Sequence, residues 1–127
     1  MMEFLMKEAG FYTTTEYGEL HIAGDDVNGF RPYQLLVSSI IGCSGSVLRQ
    51  ILMKKRIEIE DIAITTHVER NKVNANRIEK IHIHYRIKGE NLHYDKILKS
   101  VELASKICPM AQAVKGNIII EETIELE

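Results

Sequence analysis

Two cysteines carry most of the covalent chemistry open to this chain, and both stand where the backbone should be irregular. Cys108 directly precedes Pro109, and a residue before proline avoids the α region. Pro109 suits the first turn of a helix. Cys108 therefore falls at or near a helix N-cap, where unpaired N–H groups favour a thiolate. Such settings lower a cysteine pKa from about 8.5 toward about 3.5–7.5. Cys43 lies beside Gly42 and the run Ser44-Gly45-Ser46, where a backbone or a substrate can approach closely. A thiolate that meets a peroxide becomes a sulfenic acid, and a second thiol nearby condenses with it to a disulfide. The pair also fits an inert role as packed core, since free cysteine is among the most buried residue types.

Other candidates are weaker. His82 and His84 alternate along one stretch, which on a strand places their imidazoles about 7 Å apart. That is half a metal site, but no carboxylate or cysteine follows at ligand spacing, and the neighbours are Lys80, Arg86 and Lys88. The pattern reads as a solvated polar face, and no metal is expected. His21, His67 and His93 sit in polar contexts. Lys54-Lys55-Arg56 suits a helix C-terminus, and Glu121, Glu122, Glu125 and Glu127 read as a solvated edge or tail. Gly-rich phosphate loops, CxxC and the nucleophile elbow are absent, and no cofactor is implied.

The elements that must hold the cysteines follow from periodicity. Arg31 to Arg56 is the longest apolar run, apolar on all sides from Leu35 to Leu52 apart from Arg49 and Gln50, which predicts a buried central helix opened by Pro32. Gly42 and Gly45 inside it cost about 1 kcal/mol each relative to alanine, so tight packing or a functional thiol should offset them. The uninterrupted stretch is shorter than the roughly 20 residues of a membrane span. Residues 2–23 read as short strands, with a turn at Glu16-Tyr17-Gly18-Glu19 and a polar loop from Gly24 to Gly29. Asp61 to Arg70 and Arg77 to Lys88 alternate with period 2 around an Asn-rich turn, Ile81, Ile83, Tyr85 and Ile87 pointing inward. One polar face implies an antiparallel sheet packed on one side. From Tyr94 the period becomes 3.6 through Ile107, a short helix follows from Pro109 to Val114, and Asn117 to Leu126 closes the chain as a strand. The order β-β-β-α-β-β-α-β is an α+β fold. One sheet covers only one side of the central helix, so a dimer is expected to cover the other.

Composition narrows the field. At 127 residues, residues 1–127 are expected to form one domain. The net charge of −2 supplies no global field toward nucleic acid or anionic lipid. The N-terminus has Glu3 and no long apolar core, unlike a signal peptide, so a cytoplasmic location is the expectation. Two cysteines in such a compartment are not a structural staple.

Arg31-Pro32-Tyr33-Gln34-Leu35-Leu36, Gly42-Cys43, Lys54-Lys55-Arg56 and Ile107-Cys108-Pro109-Met110 together resemble the two cysteine motifs of the OsmC/Ohr family, named for osmotically inducible protein C and organic hydroperoxide resistance. The resemblance covers nearly the whole chain. It implies antiparallel sheets wrapped around the buried helix, and an intertwined homodimer with sites between subunits. It further implies that Cys43 attacks an organic hydroperoxide, that Cys108 resolves the product, and that a dithiol reduces the disulfide. Arg31, Tyr33, Gln34, Leu36 and Ile40 would line the substrate site. Peroxidase members carry a glutamate just after the motif proline and an N-terminal arginine; this chain has Tyr33 and Gln34 there and no arginine before Arg31. It resembles a divergent member outside the best-characterised peroxidase branch. The alternative is a protein of the same fold, without peroxidase activity, that binds a small apolar ligand at the dimer interface. Neither reading involves nucleic acid or membrane.

Overall fold

A computed structural model describes residues 1–127, which fall into two units, Met1–Ser38 and Ser39–Glu127. The first is a three-stranded antiparallel sheet of β1 (Leu5–Met6), β2 (Phe11–Thr14) and β3 (Glu19–Ile22), paired in sequence order. Thr13 faces inward and donates to the Glu3 carbonyl at 2.7 Å. The turn before β2 requires Gly10: its φ is +85°, and a Cβ there would stand 2.1 Å from the Ile22 carbonyl oxygen. Asp25 holds the polar loop by accepting from the Val27 and Asn28 N–H groups. Those bonds, that from the Asn28 N–H first, hold its carboxyl below the usual range.

The helix α1 (Pro32–Lys54) runs through the boundary between the units. Pro32 opens it, as its fixed φ and missing N–H allow. It closes in a Schellman turn: the Ile57 N–H donates to the Leu52 carbonyl and the Arg56 N–H to the Met53 carbonyl. Arg56 takes φ +57°, where glycine is the usual residue. The sequence predicts a helix buried on all sides, but within one chain only a stripe is buried: Val37, Ile40, Ser44, Leu48, Ile51 and Leu52. Those positions recur at three- and four-residue steps, one face of a helix. Ser38, Ser39, Gly42, Ser46, Gln50 and Met53 remain exposed. At 23 residues α1 is long and apolar enough to cross a membrane by length and composition alone. Its Ile40, Leu48 and Leu52 are instead sealed in the protein's own core.

The second unit is built on β4 (Asp61–Asn71) and β5 (Arg77–Lys88), a long antiparallel hairpin with Ile62 opposite Ile87 and Ile64 opposite Tyr85. After β5 the chain crosses back through α2 (Tyr94–Ile107) and α3 (Pro109–Val114) before β6 (Ile119–Leu126). Antiparallel pairing therefore holds for β4 with β5, while β6 lies parallel to β5, Ile81 opposite Ile120 and Tyr85 opposite Ile124. The helical crossover is the reason: a chain returning to the same end of the sheet before its next strand must run parallel. The sheet order is β4-β5-β6. The inward residues of β5 are those the alternation selects, Ile81, Ile83, Tyr85 and Ile87, all essentially inaccessible. Ile97, Val101 and Ala104 form the buried stripe of α2. Gly45 of α1 meets Ile64 of β4, at an ordinary contact distance of 3.6 Å for a Cβ built on the glycine.

Candidate active site

The break before Pro109 forms because Cys108 adopts φ −74° and ψ 115°, an extended conformation between two helices. Cys108 is thereby the N-cap of α3. Its sulfur accepts the Ala111 N–H at 3.3 Å, while its carbonyl accepts the Gln112 N–H. The thiol is fully buried. Cys43 is half-buried on α1, and its thiol faces that of Cys108. The fold has thus brought together the two cysteines that the sequence singles out, with both sulfurs free.

Their electrostatics differ. Burial pushes the Cys108 thiol up most strongly, but four donors together outweigh it: the Cys43 thiol, the Ser44 hydroxyl and the N–H groups of Ala111 and Met110. The net result is a lowered pKa at Cys108. Cys43 moves the other way, raised chiefly by its interaction with Cys108 and only partly opposed by the Met110 N–H. Within the pair the proton therefore leaves Cys108 more readily than Cys43, the direction that the N-cap position of Cys108 predicts from sequence. None of the groups that set these two thiols is a cation.

Behind Cys108 lies a polar pair that the sequence reading missed. Tyr85 O–H donates to Glu122 Oε2 at 2.9 Å, and the Ser105 hydroxyl also reaches the Glu122 carboxylate. Burial first, then the Glu122 charge and the nearby Cys108, push the Tyr85 phenol up. Burial likewise pushes the Glu122 carboxyl above its usual range. The expectation of a solvated acidic edge is thus corrected for Glu122 alone. Position 122 shares the inward parity of Ile120 and Ile124, whereas Glu121 and Glu125 are exposed. That parity was the available signal, since an acid on the apolar face of a strand must find a partner.

The predicted substrate residues divide between the units. Arg31, Tyr33, Gln34 and Leu36 lie in the first, where the Arg31 guanidinium stacks over the Tyr33 ring at 5.4 Å and Arg31 Nε is buried without a hydrogen-bond partner. Ile40 lies in the second and is core, about 1% exposed. A Cβ built at Gly42 would meet no atom of another element within 4 Å, so α1 is uncovered at that position within one chain. A groove of about 750 Å³ is lined by Arg49, Leu52, Met53, Arg56 and the segment entering β4; it contains neither cysteine.

His82 and His84 stand on the outer sheet face, as the alternation predicts. His82 Nε2 contacts Glu69 and its Nδ1 lies 3.0 Å from Glu121, while His84 Nδ1 contacts Thr123 at 2.7 Å. The carboxylates missing from local spacing come from the neighbouring strands. The hydrogen bond from His82 first, with Lys80 nearby, holds the Glu69 carboxyl below the usual carboxylate range. Lys55 does not merely end α1; its Nζ donates to the buried Ser100 hydroxyl at 2.9 Å.

Comparison with known proteins identifies the family and the fold. A family model described as OsmC-like protein matches residues 23–123. The organic hydroperoxide resistance protein OhrA of Bacillus subtilis is 28% identical over 87 residues, 68% of this chain and 61% of that protein. The chain therefore matches somewhat less than two-thirds of that relative's length. The crystal structure of a hypothetical protein from Aquifex aeolicus superposes with a TM-score of 0.88 at 29% identity, covering 100% of this chain and 95% of the other. That of an OsmC-like protein from Mycoplasma pneumoniae gives a TM-score of 0.86 at 17% identity, covering 99% and 95%.

Proposed function

The chain belongs to the OsmC-like protein family, and from that premise we propose that it is a thiol-dependent peroxidase that reduces organic hydroperoxides. The observation that carries the proposal is the facing pair of free thiols, one half-buried and one fully buried. Only Cys43 is open to a substrate, so Cys43 attacks the peroxide oxygen and becomes a sulfenic acid. Cys108, already facing it, condenses to the disulfide, and an external dithiol restores both. The resistance function named for the Bacillus subtilis relative supports the substrate class.

A homodimer is part of this reading. The exposed face of α1, with Ser38, Ser39, Gly42, Ser46 and Met53, is small-residue and apolar surface that a second copy can cover. A cytoplasmic location suits a pair of reduced thiols recycled by a dithiol.

The test is free-thiol titration with intact mass, before and after a modest excess of cumene hydroperoxide. Loss of both thiols, reversed by dihydrolipoamide and abolished in Cys43→Ser, is the expected result. Survival of both thiols would sink the peroxidase reading and leave the apolar-ligand protein in its place.

A further inference from the structure

We propose that the outer face of the sheet β4-β5-β6 carries a binding site for a borderline divalent transition ion, zinc above all, with His67, His82 and Glu69 as ligands and Glu121 orienting His82. The proposal does not rest on the peroxidase reading. Sequence alone argues against a metal here, because no carboxylate follows His82 or His84 at ligand spacing. Strand register supplies what spacing lacks. His67 of β4 and Glu121 of β6 are the residues directly opposite His82 of β5, one on each side. Glu69 stands two residues beyond His67, on the same face of β4. One row across three strands therefore holds two imidazoles and a carboxylate, with a second carboxylate diagonal to the central ring. These positions alternate with the buried Tyr85, the side of the sheet on which Cys108 acts, so the site and the thiols lie on opposite faces.

His82 is oriented as a metal-bound histidine is. Such a ring gives one nitrogen to the ion and hydrogen-bonds a carboxylate through the other. Here Nδ1 lies 3.0 Å from Glu121 Oε2, and Glu121 is itself held by Lys80 Nζ, 3.1 Å from its other oxygen. That arrangement turns Nε2 toward Glu69, whose Oε2 it contacts. The His67 ring stands 5.9 Å from the His82 ring, centroid to centroid. Two imidazoles that share one zinc, each at about 2.0–2.1 Å, have centroids about 5–6 Å apart. His67 is exposed, so its ring reaches the same point by a turn of the side chain. His84 does not belong to the set: its nitrogens face Thr123 at 2.7 Å and Glu125 at 3.4 Å.

The three ligand groups do not meet at one point while His82 Nε2 and Glu69 share a hydrogen between them. Binding puts the ion in place of that hydrogen, and the proton leaves to solvent. The charges then close: the Glu69 and Glu121 carboxylates balance the two positive charges of the ion, and the imidazoles bind neutral. Mixed nitrogen and oxygen donors select zinc and its neighbours over magnesium and calcium, which take oxygen sets. Three protein ligands leave the fourth position of a tetrahedral ion to water. An ion held in this way ties β4 to β5 through side chains, on the face that packing against the helices does not use.

The experiment titrates zinc into the reduced, tag-free full chain and follows the histidine ring nitrogens by heteronuclear NMR. Facing thiols also take zinc, so cobalt is titrated in parallel: thiolate ligation gives a near-ultraviolet sulfur-to-cobalt band, and a nitrogen–oxygen site does not. The ring nitrogens of His67 and His82 should move while those of His21, His84 and His93 stay, in the wild type and in Cys43→Ser alike. Calorimetry on Cys43→Ser, which breaks up the thiol pair, should show a single zinc per chain. Adding Glu121→Ala should weaken it by about tenfold, since partners that orient a ligand typically contribute about 10–100-fold. Adding His67→Ala or His82→Ala should weaken it by more than that, and adding His84→Ala should leave it unchanged. Urea unfolding in the presence of a chelator checks that each variant folds; where one does not, the wild-type NMR shifts decide. Zinc that leaves the His67 and His82 nitrogens unmoved would overturn the proposal. So would binding that disappears in Cys43→Ser, because the thiols would then be the only site, and so would a folded His82→Ala variant that binds as tightly as its parent.

Discussion

Removing the Tyr85 hydroxyl tests whether Glu122 is a buried charge that needs its partner. Tyr85 is fully buried and donates to Glu122 Oε2 at 2.9 Å, while Glu122 is half-buried. Tyr85→Phe keeps the ring and its packing and takes away only the donor. A hydrogen bond to a charged group contributes about 1.5–3 kcal/mol. The carboxylate retains some solvent, so the lower end applies, about 1.5 kcal/mol. With a urea m-value of about 1.5 kcal/mol/M, the midpoint should fall by about 1 M. The sign with pH follows from the raised Glu122 pKa. Its folded value lies above the unfolded one, so its contribution to stability is fully present below about 4.5 and is lost as pH rises through the folded value. Glu122→Gln should abolish that part of the slope, and in its background the cost of Tyr85→Phe should shrink to that of a neutral hydrogen bond, about 1 kcal/mol. The assay is urea unfolding at one fixed protein concentration, at mildly acidic and neutral pH, through the full double-mutant cycle. A Tyr85→Phe cost below about 0.5 kcal/mol, or one that Glu122→Gln leaves unchanged, would refute the reasoning.

Two backbone predictions follow from the same structure. Arg56→Gly should raise stability by about 0.5–1 kcal/mol, because Arg56 occupies a left-handed C-terminal position at φ +57°; a higher thermal midpoint is the measurement, and a drop would mean that the Arg56 side chain contributes more than its backbone costs. Gly10→Ala should cost about 2 kcal/mol or more, since the new Cβ would stand 2.1 Å from the Ile22 carbonyl; near-wild-type unfolding in urea would show that the turn before β2 relaxes freely.

Periodicity and punctuation carry most of the architecture. Strict alternation from Asp61 to Lys88 fixes two strands and their inward face, because a one-residue slip would expose Ile81, Ile83, Tyr85 and Ile87 together. Pro32 and Pro109 mark helix starts through the geometry of the proline ring alone. The position of Cys108 at a helix N-cap is likewise local: a residue before proline at the head of a helix meets that helix's N–H groups wherever the helix lies. Even Glu122 was legible in principle, from its parity with Ile120 and Ile124.

Other features depend on distance through space rather than along the chain. Local sequence cannot reveal that Cys43 faces Cys108, because each thiol's partner is set by how α1 and α3 pack. It cannot place Glu69 and Glu121 on either side of His82, since those carboxylates come from flanking strands. Nor can alternation tell parallel from antiparallel pairing for β6, because a period of two is common to both; the α2–α3 crossover decides it. The buried extent of α1 is also a tertiary matter, for an all-round apolar sequence says only that cover is needed, not which face this chain supplies for itself. The sequence by itself determined which residues can do chemistry and how each local backbone presents them. Tertiary structure decided which of those residues meet, and so which thiol is shifted down, which is shifted up and which is open to a substrate, because ionisation responds to neighbours and solvent rather than to residue type.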